Sequence, residues 1–219
     1  MFPVYLLTDS GFWWFTVLYV VSVAIVVVVL ATPLKRFATP VSIPLPAWVV
    51  ALFTYLIIEQ FFHQAEHVTQ MYQFAFLGMS AHDAHGFVWF LDDEWNHFVF
   101  NGLYLIGLTI VFTVILKNMR HAGVRWSVAH TGYIFAFFVL EGWHMTEHTV
   151  RILQHVQGLC DQCPGIIDTV TSINRLVLHF WFNFIALTLP TASYVWFGIP
   201  GQVLSRLQRG RMATQPVEA

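Results

Sequence analysis

Hydrophobic positions gather into five long runs, at residues 12–32, 46–74, 95–117, 126–156 and 168–197. About 20 largely apolar residues cross the hydrocarbon core of a bilayer, so all five predict transmembrane helices. The first, FWWFTVLYVVSVAIVVVVLA, is valine-rich and would favour a strand in water. In lipid, an isolated segment must satisfy its own backbone, which leaves the helix. This run lacks the basic start and short apolar core of a signal peptide, and predicts an uncleaved anchor. Pro44 and Pro46 precede the second run, Asp92 and Asp93 cap the third, and Pro164-Gly165 turns the chain before the fifth. Pro190 lies inside the fifth run, where a kink is expected.

Polar residues interrupt four of these runs in matched places. HQAEH at 63–67 followed by HFVFN at 97–101 recurs as HMTEH at 144–148 followed by HFWFN at 179–183. The first string repeats at an offset of 81 and the second at 82, so one small gap in a connection separates the copies. Composition alone can repeat apolar residues, but repeating polar residues that a bilayer penalises calls for a functional reason. Runs two and three form one repeat, and runs four and five the other. An even number of spans per repeat sets both in the same direction, with a pseudo-two-fold axis along the membrane normal. The expected fold is an all-α polytopic membrane protein of five helices, four of them a duplicated antiparallel bundle. One membrane domain is expected at 1–205: a first helix (12–32), repeat one (46–117) and repeat two (126–197). Residues 206–219 lack apolar periodicity and are expected to be a mobile cytoplasmic tail.

Composition supports the membrane assignment, and charge adds an orientation. The chain is 57% hydrophobic and 10% charged, with a net charge of −2. Lys35 and Arg36, then Lys117, Arg120 and Arg125, then Arg206, Arg209 and Arg211 all fall on one side, whereas loops 75–91 and 157–167 hold no Lys or Arg. The positive-inside rule then predicts an N-terminus outside and a C-terminus in the cytoplasm, in a bacterial-type inner or plasma membrane. No basic, aromatic-interleaved surface suggests nucleic acid. Cys160 and Cys163, in the external CDQCPG, read as a disulfide clip rather than a zinc knuckle.

Helical spacing puts His63, Glu66 and His67 on one arc of roughly 100°, with Gln70 inside it and Glu59 one turn deeper. His144, Glu147 and His148 repeat that arc, with Glu141 deeper and Arg151 and His155 further out. Asp93, His97 and Asn101 stack at i, i+4 and i+8, as do Arg175, His179 and Asn183. Counting from the span ends brings all four stripes to one height near the outer face. Imidazoles and carboxylates at one level have the chemistry of a transition-metal site, with Fe, Cu and Zn not distinguished. The candidate ligands are His63, Glu66, His67, His97, His144, Glu147, His148 and His179. They exceed the needs of one ion, so either two ions bind or some residues orient the others through their second ring nitrogen. Glu66 and Glu147 are candidate bridging ligands or proton relays. Asn101, Asn183, Gln70 and Arg151 are candidates for hydrogen bonding around the cofactor. Asp93 and Arg175 occupy equivalent positions with opposite charge and predict a salt bridge. His82 and His85, in AHDAH, read as loop histidines. The His-x-x-Glu-His string alone also matches the core of an inverted zinc-peptidase motif, which leaves the second copy and HFxFN without a purpose.

Three functions compete. The first is a metal-dependent membrane oxidoreductase or oxygen-handling protein. The second is a haem- or chlorin-carrying subunit of an electron-transfer complex. The third is a metal-ion transporter or loader, although the inner halves of the helices show no continuous polar path. Membrane lipid is an expected partner, and the small size suggests other membrane subunits or an electron-transfer partner.

Overall fold

A computed structural model describes residues 43–88, 94–124, 128–160, 164–170 and 174–213. The first predicted span, Asp92, Asp93 and Cys163 lie outside the described residues. Among the described residues the fold is all-helical, without strands. Helix α1 runs Ala47–Leu77, α2 Glu94–His121, α3 Val128–Val156, α4 Ile166–Val170, α5 Arg175–Trp196 and α6 Ile199–Ala213.

Local chemistry sets the helix ends. Pro46 precedes α1 with φ −54°, and Gly78 stops it with φ +69°, a left-handed conformation that costs glycine little. The fifth predicted run is divided between α4 and α5. Asn174 begins α5 by accepting the Leu176 N–H at 2.9 Å, a side-chain cap that fixes the start inside the run. Residues 206–213, grouped by sequence with the tail, continue the α6 helix.

Helix α1 packs on α5 and α2, and α3 packs on α2 and α5, so the four long helices close into a bundle. Its larger apolar core is built around Phe53, Leu56, Leu108, Phe112, Ile115 and Phe137. Gly107 lets α2 approach Leu56, since a Cβ there would stand 2.9 Å from both Leu56 methyl carbons. Helix α6 folds back beneath this core: Gln202 donates to Ile43 O at 2.8 Å and accepts from Leu45 N at 3.1 Å, while Arg206 reaches Leu45 O at 2.6 Å. A smaller apolar cluster holds Met71, Ala84, Leu176 and Phe180. Along α1 the large core comes first, then the histidines, then Met71, so a polar layer is sandwiched between two apolar ones.

The exterior inverts the usual arrangement. Large apolar side chains such as Tyr55, Phe62, Leu103 and Ile106 face outward, while His67, His97, Glu141, Arg151 and Asn183 are buried. Two helices, α2 and α5, are long and apolar enough to cross a membrane. Pro190 lies inside α5 and has no N–H for the carbonyl of Ala186 one turn back. The buried Tyr104 hydroxyl on α2 donates to that carbonyl at 2.7 Å and replaces the missing donor. Tyr104→Phe is therefore expected to leave the Ala186 carbonyl unmet and to cost about 1–3 kcal/mol, read as a lowered unfolding midpoint in detergent.

Candidate metal centre

Four helices bring six histidines together as two sets of three. His63 and His67 on α1 meet His97 on α2, and His144 and His148 on α3 meet His179 on α5. Within each set, the available ligand atoms all lie within 4.8 Å of one another. The sets adjoin: His97 stacks on His148 with ring centres 5.8 Å apart, and His67 meets His179 at 5.8 Å. All are buried except His63, which is half-buried.

Hydrogen bonds on the outer ring nitrogens determine what the inner ones present. In the second set, His148 Nδ1 lies 2.5 Å from Glu94 Oε1, and His144 Nδ1 lies 3.4 Å from Glu141 Oε2. Where those carboxylates accept, the Nδ1 atoms carry the hydrogens and each ring directs an Nε2 lone pair inward. Those two Nε2 atoms are 3.0 Å apart. Lone pairs so close repel unless a proton or a metal ion lies between them. In the first set, His67 Nδ1 meets Gln70 Oε1 at 2.8 Å, and its Nε2 faces His63 Nε2 at 3.3 Å. Buried oxygens without a hydrogen-bonding partner surround the cluster: Asn101 Oδ1, Glu141 Oε1 and Glu59 Oε2. Converging neutral imidazoles, oriented from behind by carboxylates and an amide, fit a transition-metal ion.

The two expected carboxylate ligands accept backbone hydrogen bonds. Glu66 accepts the Val88 N–H at 3.0 Å, and Glu147 accepts those of Ile166 and Ile167 at 2.6 and 3.0 Å. Each carboxylate thus anchors the connection that follows its own helix, and both candidate ligand sets are made of histidine alone. Glycines make this possible: a Cβ on Gly86 would sit 1.5 Å from Glu66 Oε2, and one on Gly165 would sit 2.0 Å from Glu147 Oε2.

The asparagines behave alike. Asn101 Nδ2 donates to His97 O at 2.9 Å and Asn183 Nδ2 to His179 O at 3.0 Å, each bonding back one turn to its own histidine. Asn101 Nδ2 also lies 3.4 Å from His148 Nε2, while Asn183 Oδ1 accepts from Gln60 Nε2 at 3.0 Å. Gln70 and Arg151, equivalent in sequence, diverge in role. Arg151 Nη1 donates to His179 Nε2 at 3.0 Å and pairs with Glu94 at 3.2 Å, so a guanidinium already engages the third histidine of that set.

Glu94 joins the two halves, and the sequence pattern does not single it out. Besides His148 and Arg151 it meets Arg175 at 3.3 Å, the pairing that the stripes assign to Asp93, one residue earlier. Its position one turn before His97 on the same stripe is the available signal. Gln60 also escapes the pattern, although the offset of 81 aligns it with Glu141. In the exposed loop, the Ser80 hydroxyl donates to Asp83 at 2.6 Å and holds that carboxyl below the usual range; His82 lies 3.3 Å away, and neither His82 nor His85 belongs to the metal sets. Cys160 is disulfide-bonded.

No protein-family model, curated protein or solved structure matches this chain.

The Glu147 latch is directly testable. Gly165→Ala should displace the carboxylate and free the Ile166 and Ile167 amides, raising their hydrogen-exchange rates by roughly tenfold or more, as a lost charged hydrogen bond implies. The Val88 amide, on the other latch, should keep its protection.

Proposed function

We propose that this chain is an integral membrane protein whose bundle holds one or two transition-metal ions between its six histidines and uses them in redox or oxygen chemistry. The observation that carries the reading is the pair of Nε2 atoms on His144 and His148, 3.0 Å apart with both Nδ1 atoms turned to carboxylates. A bound ion supplies electron transfer or Lewis acidity there. The protein residues position it: Gln70, Glu94 and Glu141 orient rings from behind. Glu66 and Glu147 fix the connections above the cluster, and Asn101 and Asn183 brace the histidines of α2 and α5.

Membrane integration rests on the apolar exterior, the buried polar layer, and the length of the bundle helices. The shortest, α5, has 22 residues and spans about 33 Å at 1.5 Å per residue, enough for a hydrocarbon core of about 30 Å. Helices α1 and α3 carry the polar faces that lower their own hydropathy. The matched placements of Glu66 with Glu147 and of Asn101 with Asn183 support an internal duplication about a pseudo-two-fold axis. We place the histidine end outside and the basic α6 end in the cytoplasm, by the positive-inside rule. Other membrane subunits or an electron donor are the partners this reading requires.

Metal analysis of the purified full chain tests it. One or two equivalents of iron or copper are expected, falling below about one-tenth of that in a His67→Ala, His148→Ala double variant that still elutes as a folded species; redox-inert zinc in their place would keep the metal site and overturn its redox role. Absence of stoichiometric metal overturns the reading, and an intense Soret band replaces it with haem carriage.

A further inference from the structure

A cavity of about 450 Å³ opens beside the first histidine set. Its outer wall is formed by Tyr55, Ile58 and Phe62 on α1, which are 62%, 51% and 57% exposed. These residues lie on the apolar flank of the bundle, so the opening faces sideways, into the lipid in the membrane reading. Its inner wall carries His63 and His97, two members of the first set, and the carboxylate of Glu59. Glu66 also borders the space but is engaged by the Val88 N–H. Glu59 lines the space, and its Oε2, buried behind that lining, has no hydrogen-bonding partner.

The second half is built differently. At the offset of 81 that aligns the His-x-x-Glu-His strings, Glu59 corresponds to Leu140, Phe62 to Trp143 and Ile58 to Val139. The ring of Phe182 stacks on His144 at 5.0 Å and 14° and covers it, whereas its counterpart Phe100 lines the cavity. Among the described residues, a carboxylate, an open histidine and an apolar doorway therefore coincide beside the first set.

We propose that this lateral cavity binds a lipid-dissolved phenol or quinol, with a ring hydroxyl donating to Glu59 and the ring edge lying against His63 and His97. The volume falls in the range of small-molecule sites, roughly 300–1,000 Å³, and suits one substituted ring with its chain left in lipid. The aromatic walls match a flat ring. A lipid acyl chain would fill the apolar part but offer nothing to the Glu59 carboxyl in the inner wall, where a hydroxyl can hydrogen-bond. Ligand class is argued from the cavity alone; its role as the substrate of the first histidine set rests on the metal-centre reading.

The test uses the full chain in detergent under argon, with radiolabelled decylbenzoquinol as probe and its dimethyl ether as a size-matched control without donors. Saturable binding of the quinol at one site is expected, with the ether about tenfold weaker or worse. Glu59→Leu, which copies the other half, should weaken the quinol to the level of the ether and leave the ether unchanged. Ile58→Trp should abolish binding by filling the doorway, and Val139→Trp on the opposite flank should not affect it. Unfolding midpoints of the three variants, matched to that of the parent, show that losses are local. Equal binding of quinol and ether, equal effects of Ile58→Trp and Val139→Trp, or absence of saturable binding would each overturn the proposal. Metal content is read on the same samples. Binding that persists in protein without metal overturns the metal-centre reading and leaves the cavity standing, while metal without quinol binding does the reverse.

Discussion

A buried imidazole, amide or carboxylate costs several kcal/mol unless another polar group meets it, and large apolar side chains cover much of the outside of this bundle. Every polar side chain directed inward must therefore find its partner on another inward-facing stripe or on a connection folded over the end. That requirement organises the molecule. Glu66 and Glu147 draw the connections down, Glu94 reaches across to α3, and Gln60 crosses to Asn183. What these pairings leave over are the oxygens Asn101 Oδ1, Glu141 Oε1 and Glu59 Oε2, and the inner nitrogens of His67, His144 and His148, whose rings are held from behind through Nδ1.

The apolar frame is arranged to allow this. The large core below, closed by α6, supplies the packing, and Gly107 brings α1 and α2 close enough for His63 and His97 to meet. Where the frame carries a fault of its own, a neighbour repairs it, as Tyr104 does for the carbonyl freed by Pro190. In the functional layer and the scaffold alike, side chains from a neighbouring helix meet buried polar groups, as Glu94 meets His148 and Tyr104 meets the Ala186 carbonyl.

Much of this is legible in the order of residues. The run at 46–74 becomes α1 at Ala47–Leu77 because nothing within it breaks a helix before Gly78. The six histidines stand out because a bilayer penalises polar side chains, so their return at fixed spacing inside apolar runs marks a site. Periodicity fails at finer scale. It puts His63, Glu66 and His67 on one arc of roughly 100°, yet side chains at the two edges of such an arc point to different neighbours. Glu66 therefore reaches a connection while the histidines reach each other, and only the fold decides which. Arg175 pairs with Glu94, which the stripes do not name, because an ion pair is settled by the facing helix. The start of α5 is hidden because Asn174 acts through its side chain, which hydrophobic pattern does not register.

Glu94 also sets the electrical balance of the two histidine sets. One carboxylate faces two guanidiniums, Arg151 and Arg175, and only the first of these is deeply buried. Glu141, 3.4 Å from His144, adds a second carboxylate behind His144, His148 and His179, whereas at His63, His67 and His97 the residue matching Arg151 is the neutral Gln70. In a medium of low dielectric that difference is felt strongly. Two sets with the same three side chains thus differ in their surroundings: charged groups of both signs enclose one, and a neutral amide braces the other.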